Sequence, residues 1–531
     1  MKSLVARLTL LLTIASFVAF AQNNILNNGG FETGTMCYTH WIWGKVDWAG
    51  DYKFGLSRDA HSGTYSAEID CRGADCIKAA IFSDKIPIQP GKKYTLSAYA
   101  KCPKGTSSYM HIPESTDGAV TGNFQCDDKW NRTSVSFTAS RKAEYAYYYF
   151  FNADKSWLRV DDVSLTADRT AAQYRPLHAG QRDVKVLGSN VVVDGAPFLS
   201  LGYFDVGYND LVKVAETGAN TINGGVNEHT AADCFNTGQK SYLDQVYELG
   251  MSFVPGSFTS ARLESPAVFS TIAKTFAPHL ANIAWFLADE PDHPKVKWAQ
   301  VSPSMLTKEH ELLKTATTLP DMSDFQMGAY GNTGDIAPYA DATDIWMAEP
   351  YGPDFSSVNH ATTLFRSIRA KPIWLAQNDI DAPLIVPKAY WAIIAGATGI
   401  HYFSWESFKN NTAKLAATTQ VFRELTPLKN AIFGNKLDDL VTAPQGIASM
   451  ARFDSTTNTV YILSANSRPE SIRGNFSLKG LGPGQTIRVL YEDRSIVTEA
   501  GSFSDTFAGV SRHVYAIDCK SEATGSDFCH H

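Results

Sequence analysis

The stretch "IAWFLADEPD", residues 283–292, runs apolar from Ile283 to Ala288 and then ends in two adjacent carboxylates, Asp289 and Glu290, followed by Pro291. An apolar run of this length reads as a buried strand, and a proline at its end removes the next ladder donor. Neighbouring carboxylates strengthen each other's hold on a proton, which suits a general acid working near neutral pH. A general acid needs a partner that acts as base or nucleophile. Three carboxylates in comparable settings are candidates: Glu349 in "MAEPYG", Glu406 in "FSWES" and Asp379 in "LAQND". Glu349 leads, because it closes a strand that is followed by an aromatic-glycine turn; each of the three would also serve as a solvated or ion-paired residue. Asn223, Tyr330, Tyr351, Gln377 and Trp405 stand at similar strand ends. Amides and carboxylates for hydroxyl pairs, with aromatic faces for flat rings, make a set suited to a hydroxyl-rich ligand.

Positioning these residues requires a regular framework. Strand-like runs recur at "FLSLGYFDV", "GANTINGG", "MSFVPGSF", "IAWFLADE", "FQMGAY", "DIWMAEPYG", "PIWLAQND" and "GIHYFSWES". Helical patterns lie between them, among them "YLDQVYELG", "AVFSTIAKTFAPHL", "SPSMLTKEHELLKTA", "PKAYWAIIAGATG" and "KLAATTQVFREL". Eight strands alternating with helices over residues 183–433 predict a (β/α)8 TIM barrel, whose polar C-terminal strand ends face the site. Asp194-Gly195 predicts a hairpin turn just before it. Residues 22–168 show short alternating runs without helical stretches and predict a β-sandwich; 169–182 read as a linker. Residues 434–519 return to alternation and predict a second, C-terminal β-sandwich, with a tail at 520–531.

Residues 1–21 carry Lys2 and Arg7, an apolar core from Leu8 to Phe20 and an Ala19-Phe20-Ala21 cleavage pattern. They are expected to be a signal peptide, making the mature chain a secreted protein, extracellular or periplasmic. The net charge of −7 and the lack of any long basic run argue against nucleic acid as a partner. No further apolar stretch is long enough for a membrane span. All eight cysteines fall after the signal segment, and an even number in an exported chain favours disulfides over metal. A loop closed by Cys519 and Cys529 is one possibility. No metal-ligand spacing, P-loop or serine elbow is found, so no cofactor is expected. A monomer is expected.

"ILNNGGFETG", "AHSGTYSAEI", "IPIQPGKKYTLSAYAK" and "LRVDDVSL" together resemble the jelly-roll carbohydrate-binding modules of the family 4 type. Trp41, Trp43 and Trp48 in "YTHWIWGKVDWAGDY" are candidates for stacking on sugar rings there, or for packing within a loop. In the barrel, "VVVDGAPFLSLGYFDV", "ADEP" and "FSWES" resemble the clan A glycoside hydrolases. The resemblance implies that Glu290 is the general acid/base, that Asp289 stands in the place of the clan's asparagine beside the sugar 2-hydroxyl, and that Trp405 floors the subsite. It implies a glutamate nucleophile at the seventh strand end, where this chain has Gln377, and a neutral amide cannot form a glycosyl-enzyme bond. Three readings follow. The second carboxylate comes from elsewhere on the rim; or the substrate's own acetamido group attacks, as in hexosaminidases with an Asp-Glu pair; or the barrel binds sugar without cleaving it. The first is the expectation carried forward: hydrolysis of a poly- or oligosaccharide, β-linked.

Overall fold

The computed structural model describes residues 24–26, 28–32, 38–42, 53–72, 79–83, 86–113, 118–141, 143, 145–167, 177–207, 210–225, 242–256, 278–293, 301–326, 335–378 and 380–519. The signal segment, Trp43, Trp48, Tyr330, Asp379, the C-terminal tail and most of the helix expected from "AVFSTIAKTFAPHL" lie outside them.

The N-terminal region is an antiparallel β domain with two five-stranded sheets. One runs Tyr38–Ile42, Ala79–Ser83, Tyr149–Asn152, Ser108–Ile112, Val120–Asn123, and the other Lys53–Ser57, Ser66–Asp70, Trp157–Ala167, Lys93–Lys101, Asn131–Thr138. Alternation along each strand sends one set of side chains inward, and Ile81, Met110, Phe150, Ala67, Leu96 and Val160 are fully buried. Cys102 and Cys126 form a disulfide, and Cys71 and Cys519 each belong to a disulfide whose partner lies outside the described residues.

The centre is a closed parallel barrel of eight strands. They are β1 (Ser200–Phe204), β2 (Thr221–Gly225), β3 (Ser252–Gly256), β4 (Trp285–Asp289), β5 (Asp321–Phe325), β6 (Ile345–Ala348), β7 (Ile373–Gln377) and β8 (Gly399–Tyr402). The described helices around it are α1 (Leu211–Glu216), α2 (Tyr242–Glu248), α3 (Pro303–Ala316), α4 (Ser356–Ile368), α5 (Ala382–Ile394), α6 (Trp405–Lys409) and α7 (Thr412–Leu425). A three-stranded antiparallel sheet precedes β1, and Asp194 and Gly195 turn one of its hairpins with φ of 52° and 83°, the left-handed pair that a two-residue hairpin loop requires.

Two strands differ from the sequence reading. β5 is "DMSDF", not "FQMGAY". Its two aspartates hide its strand character, but Asp321 faces α3, where His310 Nδ1 lies 2.7 Å and Lys314 Nζ 3.2 Å away, and Asp324 takes the opposite face. β8 stops at Tyr402, and the "WES" of "FSWES" opens α6 instead.

The C-terminal region pairs a six-stranded with a three-stranded antiparallel sheet around Val460, Ile462, Phe476, Phe503 and Tyr515. It is tied to the barrel through Glu424 of α7. That carboxylate accepts Tyr390 Oη of α5 at 2.9 Å and Arg512 Nη2 of the C-terminal sheet at 2.6 Å.

β6 matters most for the site, because its end carries Glu349. Trp346 of β6 is fully buried and stacks on Phe365 of α4, with ring centroids 4.9 Å apart. Trp346→Ala is expected to lower the unfolding free energy by about 3–5 kcal/mol, read by chemical denaturation.

Candidate active site

Strand alternation decides which residues face the barrel interior. On β5, Phe325 packs on Trp346 and Phe365, towards the helices, so Asp324 points inward. In the parallel ladder Asp324 pairs with Asp289 of β4 and with Met347 of β6; Glu349, two residues past Met347, shares its face. Three adjacent strands therefore deliver Asp289, Asp324 and Glu349 to one place. Their carboxylate oxygens all lie within 4.8 Å of one another.

Full charges 4.8 Å apart repel by roughly 3 kcal/mol per pair at an effective dielectric of about 20. Asp324 is fully buried, Glu349 nearly so, and neither Asp324 oxygen nor Glu349 Oε2 has a hydrogen-bond partner. Glu349 Oε1 accepts Tyr351 Oη at 2.7 Å, which fixes that carboxyl and leaves Oε2 facing the cluster. Burial, reinforced by the neighbouring acids, raises the Asp324 and Glu349 carboxyls well above the usual range. The same causes, with Glu290 and Asp205 as the charged neighbours, push Asp289 up to about 7.

Glu290 is held beside this group by a tight turn. Its φ is 46°, a left-handed value that costs a non-glycine residue about 1–3 kcal/mol. Its N–H continues the ladder to Asp324 O at 2.9 Å, and its own carbonyl accepts the His293 N–H at 2.9 Å. Its carboxyl lies close enough to help raise that of Glu349, and His293 Nε2 lies 3.8 Å from Glu290 Oε2. Asp292, raised chiefly by burial, accepts the Gln326 N–H at 3.0 Å and pins the turn to the end of β5.

Deeper in the barrel, Asn223 Nδ2 donates to His401 Nδ1 at 2.6 Å, which leaves His401 Nε2 to donate to Ser200 Oγ at 2.9 Å. Burial lowers His401 to about 3, so it is neutral. Asn223 is fully buried, with Oδ1 unpartnered.

The remaining candidates lie elsewhere. Ala376 pairs with inward-facing His401, so Gln377, paired with Tyr402, faces the helix layer, and both its amide atoms lack partners. Trp405 is 1% exposed and packs edge-on against Tyr203 in the barrel wall, 5.0 Å between centroids. Phe403, 39% exposed, is the aromatic on the mouth side of β8, beside Phe204. Glu406 is 60% exposed at its side chain and ion-pairs with Lys409 at 2.5 Å, away from the acid cluster.

Asp324 is the residue that sequence reasoning missed. The signal for it was the alternation in "DMSDF", where Met322 and Asp324 share one face. On the N-terminal domain, the outward face of the first sheet carries an aromatic group that sequence reasoning also passed over. Tyr109 stacks on Phe151 at 4.9 Å, Tyr149 stacks on Phe151 at 5.4 Å, and Phe82 lies 5.8 Å from Tyr149. The side chain of Trp41, in the edge strand of that sheet, is outside the described residues.

Residues 23–156 match the family CBM_4_9, a carbohydrate binding domain. No curated protein matches the chain. Among solved structures it is similar to the CBM22-1–GH10 modules of endo-1,4-β-D-xylanase 10B from Clostridium thermocellum, at 11% identity over 75% of this chain and 97% of that one, TM-score 0.35. It is also similar to a GH30 endoxylanase from Clostridium papyrosolvens, at 12% identity over 64% and 100%, TM-score 0.43. A GH27 β-L-arabinopyranosidase from Geobacillus stearothermophilus gives 9% identity over 61% and 98%, TM-score 0.42. At these values the likenesses bear on no residue or substrate.

The raised Asp289 carboxyl carries a linkage consequence. In the unfolded chain it loses its proton near pH 3.9, about the ordinary value, while in the folded chain it keeps it up to about 7. Its stabilising contribution is therefore complete below the unfolded value and lost as pH rises through 7. Calorimetry in a chelating buffer is expected to show the melting temperature climbing as pH falls from 8 to 5. In Asp324→Asn, which removes one of the repelling charges, the climb is smaller.

Proposed function

We propose that this chain is an exported glycoside hydrolase that cleaves a poly- or oligosaccharide, with Glu290 as proton donor and Glu349 as its partner. The observation that carries the reading is the nearness of Glu290 to Glu349, whose carboxyl it helps to raise, at the mouth of a barrel in a chain that also matches a carbohydrate binding domain. Two neighbouring carboxyls share one proton, which keeps one of them as an acid at neutral pH. Glycoside hydrolysis asks for this division: an acid protonates the leaving oxygen while a carboxylate acts on the other side of the sugar.

In the inverting form of this division a water stands between Glu349 and the anomeric carbon while Glu290 protonates the leaving oxygen. Asp289 and Asp324 lie beside Glu349 as further acids, and Phe403 offers a ring face at the mouth. A non-catalytic sugar-binding barrel is the second reading, favoured by β7, whose residues Ile373–Gln377 bring no carboxylate to the mouth.

Sugar release from a panel of soluble glycans tests the proposal. Glu290→Gln and Glu349→Gln are each expected to lower kcat at least 100-fold, with folding unchanged by circular dichroism. Binding without release by the parent protein would establish the second reading instead.

The aromatic face of the N-terminal domain is proposed to hold the polymer, since pyranose faces stack on aromatic rings. Replacing Tyr109 and Tyr149 together by alanine is expected to weaken retention on insoluble polysaccharide about tenfold or more, while turnover of a short soluble oligosaccharide stays at the parent value.

A further inference from the structure

The acid cluster at the barrel mouth has a property that proton donation to a glycoside does not require. Its third member, Asp324, is fully buried, and among the described residues no N–H, hydroxyl or cationic side chain bonds either of its oxygens; its polar neighbours are the other acids of the cluster. A structural aspartate in that position would be capped by an N–H, a hydroxyl or a cationic side chain, because burying a carboxylate unpaired is costly.

The barrel contains a direct comparison. On the outer face of β5, His310, Asp321 and Asp344 also bring three ligand-type groups within 4.8 Å. That trio is closed by a lysine: Lys314 Nζ lies 3.2 Å from Asp321 and bonds Asp344, and His310 Nδ1 reaches Asp321 at 2.7 Å. Asp289, Asp324 and Glu349 form no ion pair with a lysine or arginine among the described residues. The inner trio has the geometry of the outer one without its cation.

We propose that Asp289, Asp324 and Glu349 form a binding site for one hard divalent cation of the calcium–magnesium type. Oxygen ligands sit about 2.3–2.6 Å from calcium and 2.0–2.1 Å from magnesium, so ligands on one ion are at most twice those distances apart. Oxygens that all lie within 4.8 Å of one another fit the calcium limit of about 4.6–5.2 Å as they stand, and would draw together by a few tenths of an ångström to meet the magnesium limit of about 4.2 Å. The ligand set is all-carboxylate, which suits calcium, magnesium or manganese rather than zinc or copper. Tyr351 acts as the outer support, since its hydroxyl holds Glu349 Oε1 and leaves Oε2 for the ion. The ion goes beyond the hydrolase reading and does not depend on it. If both hold, Glu290 stays outside the coordinating trio as proton donor, and the ion supplies the means of lowering the pKa of a bound water.

The test is a count of bound ions. The full-length mature protein is stripped with EDTA, dialysed and titrated calorimetrically with calcium, magnesium and manganese in turn. The expected result is that at least one of these binds, and that Asp324→Asn lowers the stoichiometry by one per chain. Asp344→Asn, in the lysine-closed trio, leaves it unchanged. Glu349→Gln provides the same reading if Asp324→Asn does not fold. Equal stoichiometry in the parent and in whichever of these two variants folds, or no binding by the parent at millimolar cation, overturns the proposal. Because the readout is binding, loss of sugar-releasing activity in Glu290→Gln with the ion count intact separates the two proposals.

Discussion

Three neighbouring strands of a parallel barrel push their carboxylates into one small buried space, and the surrounding structure answers the resulting repulsion. The ladder forces the meeting: Asp289 and Asp324 are register partners, and Glu349 follows two residues after Asp324's partner Met347. Parallel pairing leaves no freedom to turn one side chain away without slipping a strand, and a one-residue slip would exchange its inner and outer faces. Repulsion is thus built into the register. It is relieved by protons, by a cation, or by a substrate that develops positive charge.

The rest of the rim can be understood as support for that arrangement. The left-handed backbone at Glu290 and the Asp292–Gln326 bond fold the β4 turn back over the end of β5. Without that turn the Glu290 side chain would continue along the strand direction, away from Glu349. The Tyr351 hydroxyl fixes Glu349 from the side, and the Trp346–Phe365 stack fixes the strand beneath it. Below the acids, neutral His401 and its bonds to Asn223 and Ser200 fill the barrel with polar groups that add no further charge. The molecule concentrates its uncompensated charge in one layer.

Much of this was legible in the sequence, because periodicity reports burial. The alternation at both ends of the chain pointed to antiparallel sheets, and seven of the eight runs fall on barrel strands, with "FQMGAY" starting only at Phe325, the last residue of β5. "ADEP" marked the end of β4 because an apolar run cannot continue through two acids and a proline. Reading failed where polar residues sat inside strands. "DMSDF" does not look like a strand until α3 is known to supply His310 and Lys314 to Asp321. Asp324 was lost with it, and with Asp324 the reason for the cluster. Resemblance pointed to Trp405 and Gln377, but a strand end fixes a side chain's face only when the register is known. One residue of phase puts Gln377 in the wall, while the early end of β8 leaves Phe403 at the mouth and carries Trp405 onto α6 in the wall.

That error of phase also changes how the missing nucleophile is understood. If Gln377 faced the cavity, it would mark a catalytic position lost by substitution and favour a barrel that only binds. It faces the helix layer, paired with Tyr402, so its identity says little about catalysis. The acids that could act on a substrate come from β4, β5 and β6, on one side of the mouth, and Phe403 with Phe204 lines the β8–β1 side. A ring entering between them meets negative charge on one flank and an apolar face on the other. A site polarised in this way would place its chemistry on the β4–β6 side, which is why the proposed partner of Glu290 is its neighbour Glu349 rather than a residue across the barrel.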